Sequence, residues 1–461
     1  MEPLSFEEIV KAVRGNLFCT NKNVQIRGIS TDSRNIQPGD LFFALKGKRF
    51  DGHQFIIRII DAGAAGAVIS NACVVNAGNK HFPVIRVPDT TIALGDLAQY
   101  YRQKLPARVI GITGSNGKTT TKEMTYRLLS HFGSTVRSQK SYNNCIGVPL
   151  TIFEIENRHQ YGILEMGTNA PGEIKRLSEI GIPDIAVIVN ISKTHLEGLD
   201  GIEGVAFAKA EILENIQTHG TFVYNTDNPW CVKIANGFNG NMVGFGFNPR
   251  ADIQCTGVKK RDKGYSLIMN GCVEVLLPVP GYHNINNCLA SFAVCHALGH
   301  DIRDVKDALS SFELPSMRIE QLRIGNVTVI NDAYNANPES VSAALQYLSE
   351  TETGGRRVFI CGDMLELGKE SQQLHREIGE KVARLNIDLL WTVGEYAHEI
   401  AEGARLSGMP ERHITRFKNI GDVSVSEICS LREYSTVLIK GSRSVHMEHI
   451  IERLYEFLSY G

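Results

Sequence analysis

The chain has 461 residues, of which 43% are hydrophobic and 21% charged, and its formal net charge is -2. This length is too great for one hydrophobic core and suits about three domains. The near-neutral charge argues against a nucleic-acid partner. Apolar runs are too short to span a bilayer, and the acidic start lacks the apolar core of a signal peptide, so we expect a cytoplasmic protein.

Residues 1–105 are predicted to form a small α/β unit. Apolar residues at helical spacing indicate an amphipathic helix from Phe6 to Val13. From the residues alone, Ser33 and Arg34 are explained equally well as turn and surface residues. Further helices are predicted at 55–64 and 91–104, and further strands at 67–69 and 84–87.

A glycine-rich stretch follows the predicted strand at residues 108–113. Glycines let successive N–H groups point at one anion, the lysine adds positive charge, a threonine hydroxyl suits magnesium, and the next helix presents its positive end. The strict P-loop pattern fails because Ile112 replaces its first glycine, yet strand, Gly-Lys-Thr and helix remain in order. A turn without a ligand would need neither the lysine nor the paired threonines. The predicted phosphate-binding residues are Gly114, Ser115, Asn116, Gly117, Lys118, Thr119 and Thr120.

Residues 106–313 alternate strands with helices, which is typical of a mostly parallel sheet with ligands at the carboxyl ends of its strands. Glu165 ends one predicted strand, and His195 closely follows another. Each alone is as easily a structural residue. Beside a phosphate-binding loop, we favour both as metal ligands. A hairpin over 266–279 and a helix over 284–298 complete the region.

Lys209 interrupts the apolar stripe of a predicted helix. It lies at i+7 from Ile202 and at i+4 from Val205, so it shares their face. Burying a lysine there is costly unless the amine is neutral or paired. Two alternatives remain open: a side chain that extends its ammonium to the surface, or a low-pKa amine that is chemically converted to another group.

Residues 314–461 are again predicted to be α/β. Asn337 and Pro338 form a helix start, with the asparagine as N-cap and the proline in the first position. Polar clusters follow three predicted strands, at 331–335, 362–368 and 440–443. Strands are predicted at 327–330, 358–361, 389–393 and 437–439.

Taken together, these blocks resemble the Mur ligases, which are ATP-dependent amide-forming enzymes of peptidoglycan precursor synthesis. The resemblance covers all three regions. It implies an N-terminal uridine-nucleotide-binding α/β domain at 1–105, a central P-loop ATPase-like parallel-sheet domain at 106–313 and a C-terminal Rossmann-like domain at 314–461. The blocks that carry it are 32–34, 50–53, 113–120, 190–197, 208–211, 281–287, 332–338, 362–368 and 440–443.

Within the family, the last three of these blocks are similar to the final ligase of the pathway, which joins D-alanyl-D-alanine to UDP-N-acetylmuramoyl-tripeptide. The Asp-Asn-Pro-Arg segment expected of the preceding ligase is absent. The resemblance implies ATP and Mg²⁺ as cofactors and an acyl phosphate intermediate. It also implies catalysis by positioning and charge neutralisation, with domain closure excluding water. Cys145 departs from the pattern, because an acidic or polar residue is expected there.

The resemblance also implies roles for particular residues. The expected catalytic residues are Lys118, Glu165, His195 and Lys209, and the expected metal ligands are Thr119, Glu165, His195 and Lys209 as a carbamate. Besides residues 114–120, the nucleotide is expected to contact His283, Asn284, Asn287, Arg318 and Asp332. Expected substrate-binding residues are Ser33, Arg34, Asn143, Asn144, Asn335, Lys440 and Arg443.

Two other functions were weighed against this one. A folylpolyglutamate synthase-like ligase should lack the uridine-nucleotide domain at 1–105. A non-catalytic nucleotide-dependent regulator would keep the glycine-rich stretch but would not need Glu165, His195 or Lys209. The sequence retains all of these features. We therefore favour the ligase, and we expect it to be a monomer.

Overall fold

The computed structural model describes residues 1–18, 24–47, 50–70, 82–352, 354–431 and 435–458. These residues form three α/β units, each built on its own main sheet. The α/β class predicted from the sequence is therefore confirmed. The boundary predicted at 105/106 falls between the last helix of the first unit and the first strand of the second, and that at 313/314 falls just before the first strand of the third.

The N-terminal unit has a five-stranded sheet in the order β2-β7-β6-β5-β4, in which only β2 is antiparallel to its neighbour. A separate antiparallel ladder joins β1 and β3. Ser5 and Glu8 form a capping box that starts the first helix where the apolar pattern predicts it. The elements are β1 (Leu4–Ser5), α1 (Phe6–Val13), β2 (Asn16–Phe18), β3 (Gln25–Ile26), β4 (Gly28–Ser30), β5 (Asp40–Phe43), α2 (Ile56–Asp61), β6 (Gly66–Ile69), β7 (Val84–Arg86) and α3 (Thr90–Arg102).

The central unit has a nine-stranded sheet in the order β16-β15-β14-β13-β12-β11-β8-β10-β9, in which the pairings from β9 to β14 are parallel and those of β15 with β14 and β16 are antiparallel. Its elements are β8 (Arg108–Thr113), α4 (Lys118–Phe132), β9 (Thr135–Arg137), α5 (Gly147–Phe153), β10 (Tyr161–Glu165), α6 (Glu173–Gly181), β11 (Ile185–Ile188), α7 (Leu196–Leu199), α8 (Gly201–Ala210), β12 (Thr221–Asn225), α9 (Pro229–Asn236), β13 (Asn241–Gly246), β14 (Ile253–Lys260), β15 (Tyr265–Met269), β16 (Val273–Leu277) and α10 (His283–Ala297).

The C-terminal unit has a six-stranded sheet in the order β17-β18-β22-β19-β20-β21, parallel except for β17. Its elements are β17 (Glu320–Ile324), β18 (Val327–Asn331), α11 (Pro338–Glu350), β19 (Arg357–Gly362), α12 (Ser371–Arg384), β20 (Leu389–Val393), α13 (Ala397–Leu406), β21 (Ile414–Phe417), α14 (Val425–Cys429), β22 (Thr436–Lys440) and α15 (Glu448–Leu458). Among the described residues, no helix is long and apolar enough to cross a membrane.

Strand order places the glycine-rich stretch at a special point of the central sheet. β8 lies between β10 and β11. The chain first adds β9 and β10 on one side of β8 and then adds β11 and β12 on the other side, so the strand order reverses at β8. A crevice opens outside the carboxyl ends of strands at such a switch point. The three strands are buried on both faces, and Val109, Ile110 and Ile112 of β8 are fully buried. Their apolar side chains thus hold the loops that follow at one edge.

Buried polar side chains fasten the N-terminal unit to the central one. Tyr101 of α3 is 1% exposed; its hydroxyl donates to the Ile155 carbonyl at 2.7 Å and accepts from the Glu2 N–H at 2.7 Å. The next residue, Arg102, donates to the Asp184 carboxylate at 2.9 Å and to the Gly181 carbonyl at 3.0 Å. These bonds join α3 to the start of the central sheet.

We predict that Tyr101→Phe destabilises the protein by about 1–3 kcal/mol, because the Glu2 N–H and the Ile155 carbonyl lose a buried partner. Tyr100→Phe is the matched control, because its hydroxyl makes one 3.2 Å bond to Glu8 on a less buried side chain. That change should cost less than about 0.5 kcal/mol. Urea unfolding of both variants measures the difference, and equal losses would contradict the prediction.

Candidate nucleotide and metal site

The glycine-rich loop, residues 114–117, turns the chain from β8 into α4. Gly117 has φ +81° and is the N-cap of α4. A Cβ at this position would lie 2.1 Å from Asn287 Oδ1, so only glycine fits. The loop is also tied to the end of β11, because the Asn116 N–H donates to Asn190 Oδ1 at 2.8 Å and the Ser115 N–H donates to the Asn190 carbonyl at 3.0 Å.

Lys118 begins α4 and folds its ammonium back over the glycine-rich loop. The Nζ atom donates to the Gly114 carbonyl at 2.7 Å and to the Ser115 carbonyl at 3.3 Å. Burial lowers the pKa of Lys118 to about 8, although the nearby Glu165 carboxylate opposes the shift. The positive charge is therefore held where an anion on the loop would meet it.

Glu165 ends β10, next to the first turn of α4, and is 1% exposed. Its Oε1 accepts hydrogen bonds from Thr119 Oγ1 at 3.2 Å and from Asn143 Nδ2 at 3.0 Å. Its Oε2 makes no hydrogen bond among the described residues, although Lys122 Nζ lies 3.4 Å away as an ion pair. A hydroxyl, an amide and a carboxylate with an oxygen to spare are hard oxygen donors, which is the ligand chemistry that Mg²⁺ prefers. The residues present therefore fit this ion.

His195 follows β11 and has a left-handed backbone, with φ 53°. Its Nδ1 is hydrogen bonded to Glu366 Oε2, which belongs to the C-terminal unit. Lys193 Nζ makes an ion pair with Glu370 Oε2 at 2.7 Å across the same seam. Among the described residues, no group of three or more His, Cys, Asp or Glu side chains forms a ready-made metal cluster.

Lys209 is buried as its place on the apolar stripe predicts, with 1% of its surface exposed. Its pKa is lowered well below the ordinary value, chiefly by burial and then by the positive charge of Lys118. No described residue forms a hydrogen bond or ion pair with its amine in the structure. The alternative of an ammonium reaching the surface is thereby excluded, and a neutral amine is favoured.

The predicted adenine-binding segment opens α10, but two of its amides are already engaged. Asn284 Nδ2 donates to the Pro280 carbonyl at 2.6 Å, and Asn287 Nδ2 donates to Asn284 Oδ1 at 2.8 Å. The neighbouring Asn286 instead presents a buried Oδ1 that makes no hydrogen bond with any residue that the structure describes. His283, the first residue of α10, is exposed.

Asp332 follows β18, and Lys440 ends the neighbouring strand β22. The two side chains form a buried ion pair. Lys440 Nζ lies 2.5 Å from Asp332 Oδ2 and also donates to the Asn335 carbonyl at 2.8 Å. The second Asp332 oxygen accepts from the Ile319 N–H at 3.2 Å. The pair therefore fixes the loop after β18 against the end of β22.

The C-terminal unit contacts the glycine-rich loop directly. Asn337, the N-cap of α11, donates to Asn116 Oδ1 at 2.6 Å, and Asn116 Nδ2 donates to Glu339 Oε2 at 2.8 Å. Tyr334 reaches the other side, where its hydroxyl is hydrogen bonded to Ser141, and the Arg318 guanidinium lies 4.1 Å above its ring. The central and C-terminal units thus enclose the loop between them.

Two clefts meet at this loop. The large cleft has a volume of about 960 Å³, and the predicted residues that line it are Ser115, Asn116, Gly117, Lys118, Thr119, Asn143, Asn144, Glu165, His195, Arg318, Asn335 and Arg443. The small cleft has a volume of about 230 Å³, and the predicted residues that line it are Asn116, Gly117, Thr120, His283, Asn284, Asn287, Arg318, Asp332 and Lys440. Lys440, which was expected to bind the substrate, thus lines the small cleft and not the large one. Gly114, Lys209, Ser33 and Arg34 line neither, and Arg34 is engaged by Asp32 at 2.7 Å.

Sequence reasoning missed Lys122, which is fully buried on α4. It donates to the Lys140 carbonyl at 2.7 Å and pairs with Glu165 and with Glu123, the latter at 3.3 Å. Its spacing of four residues from Lys118 was the available signal, since i and i+4 share a helix face. Lys122 orients Glu165 from behind while Thr119 and Asn143 reach the same carboxylate from the cleft.

A Gly-Lys-Thr loop at the switch point of a parallel sheet is typical of phosphate-binding enzyme domains. Family models agree with this class and refine it. The "Mur ligase family, catalytic domain" model matches residues 25–102, the "Mur ligase middle domain" model matches 112–295, and the "Mur ligase, glutamate ligase domain" model matches 317–443. The chain belongs to the Mur ligase family.

The chain is similar over its whole length to particular members of that family. It is 35% identical to the UDP-N-acetylmuramoyl-tripeptide–D-alanyl-D-alanine ligase of Bacillus subtilis, over 98% of each chain. It is 34% identical to the ligase of the same name from Escherichia coli, over 99% of each chain. The crystal structure of MurF from Acinetobacter baumannii is 30% identical, covers 99% of both chains and superposes with a TM-score of 0.88.

Other solved structures share the fold to different degrees. MurF from Thermotoga maritima, solved in complex with ADP, is 26% identical with a TM-score of 0.80 and covers 94% of this chain. The folylpolyglutamate synthase of Mycobacterium tuberculosis is 17% identical with a TM-score of 0.62 over 79% of this chain, which shows the fold alone.

We predict that Gly117→Ala destabilises the protein by about 2–5 kcal/mol, because alanine both disfavours the left-handed backbone and collides with Asn287. Gly172→Ala is the matched control: Gly172 is also a helix N-cap, has φ +84°, and nothing lies within 4 Å of its added Cβ. That variant should lose only about 1–2 kcal/mol. Guanidinium unfolding compares the two variants. Equal losses would contradict the prediction, because they would mean that the Asn287 side chain can move away from the new Cβ with no loss of stability.

Proposed function

We propose that the protein is an ATP-dependent ligase that adds D-alanyl-D-alanine to UDP-N-acetylmuramoyl-tripeptide in peptidoglycan precursor synthesis. The observation that carries the proposal is the meeting of the glycine-rich loop, Glu165 and the C-terminal strand ends in the large cleft. Relatives with this named activity match nearly the whole chain. As part of the proposal, the enzyme acts in the cytoplasm as a monomer.

The nucleotide is proposed to lie along the glycine-rich loop, with its phosphates against Lys118 and its base in the small cleft. Support comes from His283, which lines the small cleft, and from Asn286 Oδ1, which accepts no hydrogen bond from the described residues and suits the exocyclic amine of adenine. Asp332 is proposed to face the ribose, with Lys440 holding its carboxylate in place. Arg318 lines both clefts and is therefore proposed to reach the phosphates from the C-terminal unit.

Magnesium is proposed to be held by Thr119 and Glu165, with His195 and a carbamate on Lys209 holding a second ion. When bound, Mg²⁺ neutralises phosphate charge and stabilises the charge that develops on the transferred phosphoryl group. The spare Glu165 oxygen and the neutral Lys209 amine support these assignments. Lys122 and Asn143 keep the Glu165 carboxylate aimed at the cleft.

The proposed reaction has two steps. The terminal carboxylate of the tripeptide attacks the γ-phosphorus of ATP and forms an acyl phosphate, with ADP as the leaving group. The amine of the dipeptide then attacks the acyl carbon, loses a proton and expels phosphate. Lys118 and Arg318 would stabilise the phosphoryl charge in the first step. Contact of the C-terminal unit with Asn116 would keep water from the acyl phosphate.

The two other substrates are proposed to approach from opposite sides of the large cleft. The uridine diphosphate end would rest on the N-terminal unit near Ser33 and Arg34, and the peptide would pass Asn143 and Asn144. The incoming dipeptide would lie against Asn335 and Arg443 of the C-terminal unit. Arg443 supplies a guanidinium for a carboxylate, although Glu448 already shares it at 2.8 Å.

We expect phosphate release only when ATP, UDP-N-acetylmuramoyl-tripeptide and D-alanyl-D-alanine are all present, because the acyl phosphate forms on one substrate and is resolved by another. Omitting each in turn, with Lys118→Ala as the background preparation, measures this requirement.

In competition, D-alanyl-D-alanine should be consumed in preference to free lysine or diaminopimelate. Faster use of a free diamino acid would reassign the enzyme to the preceding ligation step.

We expect Lys209→Ala to lose most of the ligase activity and to regain part of it when a short carboxylic acid such as acetate is added. A neutral buried amine can take up CO₂, and the resulting anion is what the added acid would replace. Lys193→Ala, which removes a surface ammonium instead, should show no such rescue. High-resolution density for an unmodified Lys209 amine in the magnesium–nucleotide complex would refute the carbamate.

A further inference from the structure

The seam between the central and C-terminal units contains one contact that touches a predicted metal ligand. His195 Nδ1 is hydrogen bonded to Glu366, and the Glu197 N–H donates to the Glu366 carbonyl at 3.2 Å. Gly368 packs beside them: a Cβ there would lie 3.3 Å from Glu197 Cα. The contact therefore joins both backbone and side chains of the two units.

Both residues of this hydrogen bond have an unfavourable backbone conformation. The φ angle is 53° at His195 and 63° at Glu366, and neither residue is glycine. Such conformations persist only where the surroundings impose them, and they concentrate at functional sites. An ordinary surface ion pair needs no strain on either partner. The neighbouring pair of Lys193 and Glu370 shows this, since neither of its residues has a positive φ.

The loop that carries Glu366, residues 363–368, is braced from within the C-terminal unit. Buried His375 accepts the Met364 N–H at 2.9 Å through Nε2 and is hydrogen bonded to the Ser371 carbonyl at 2.6 Å through Nδ1. The Leu365 N–H donates to Ser442 Oγ at 2.9 Å. Glu366 is thus presented to His195 on a fixed support, so it moves with the C-terminal unit as a whole.

We propose that Glu366 is a positioning residue for His195: its carboxylate accepts the Nδ1 proton, and so turns the lone pair of Nε2 toward the metal ion. A carboxylate partner of this kind fixes the tautomer and the orientation of a metal-binding imidazole. Within the described part of the chain, the hydrogen bonds of His195 use Nδ1 and leave Nε2 available. The inference rests on the proposed function, which supplies the ion.

Because Glu366 belongs to a different unit from His195, the proposal has a thermodynamic consequence. The metal site is complete only when the C-terminal unit is seated, so seating the unit strengthens metal binding. By linkage, the bound metal must favour the seated unit to the same degree. Phosphoryl transfer would therefore be favoured in the arrangement in which Glu366 contacts His195.

The test measures metal binding rather than activity. Mn²⁺ replaces Mg²⁺ as the probe, and electron paramagnetic resonance counts free Mn²⁺ over enzyme saturated with a non-hydrolysable ATP analogue and UDP-N-acetylmuramoyl-tripeptide. Glu366→Asn shortens the side chain yet suits a left-handed backbone. We expect it to weaken the second Mn²⁺ site by about 10- to 100-fold. Glu366→Gln keeps an acceptor oxygen for the Nδ1 proton and should restore most of the affinity.

Glu370→Asn is the matched control, because it makes the same change at the neighbouring ion pair of the seam and its side chain does not cap α12. It should leave Mn²⁺ affinity within about twofold of the wild type. In a His195→Asn background, adding Glu366→Asn should cause no further loss. Thermal unfolding of each variant confirms that it is folded.

Three results would overturn the proposal: a Glu366→Asn loss no larger than that of Glu370→Asn, an undiminished loss in the His195→Asn background, or a wild-type complex that binds only one Mn²⁺. Failure of the proposed function is distinguishable, because it would appear as absent phosphate release from the wild-type enzyme with all three substrates.

Discussion

The hydrogen bonds of Asn116 are the interactions on which the arrangement of the site depends. Its backbone N–H is held by Asn190 at the end of β11, and its side chain is shared with Asn337 and Glu339 of the C-terminal unit. One residue of the glycine-rich loop thereby sets both the shape of the loop and the place where the third domain meets it. The conformation of so short a loop depends on these partners as well as on the glycine at position 117.

Much of the fold follows from patterns that act locally. The alternation of strands and helices predicts a mostly parallel central sheet between two further α/β units, and Asn337 and Pro338 predict a helix start. Both predictions were confirmed, because periodicity and capping depend on near neighbours in the chain. The hydrogen bond between His195 and Glu366 was not predictable in this way, since the partners are 171 residues apart and meet only through domain packing. The internal use of the Asn284 and Asn287 amides is local, with partners four and three residues away, but it depends on side-chain rotamers that a sequence pattern does not specify.

Three buried lysines differ in whether a nearby carboxylate compensates the positive charge of the ammonium. Lys122 is paired with Glu165 and Lys440 with Asp332, so each ammonium is compensated and orients a carboxylate. Lys209 has no such compensation, and the pKa of its amine is lowered accordingly. An interrupted apolar stripe in one helix signals Lys209, whereas the pairing of Lys122 or of Lys440 with a carboxylate involves two elements and is not visible in either one alone.

The two seams between domains differ in how far water reaches them. Arg102 and Asp184 are 5% and 12% exposed in their side chains, whereas Lys193 and Glu370 are 48% and 45% exposed. Mobile ions screen charges in water over a Debye length of about 8 Å at physiological ionic strength, but they screen buried pairs far less. Added salt should therefore loosen the attachment of the C-terminal domain and leave the N-terminal one in place. Ionic strength would then control how firmly one domain of this molecule is held while the other stays attached.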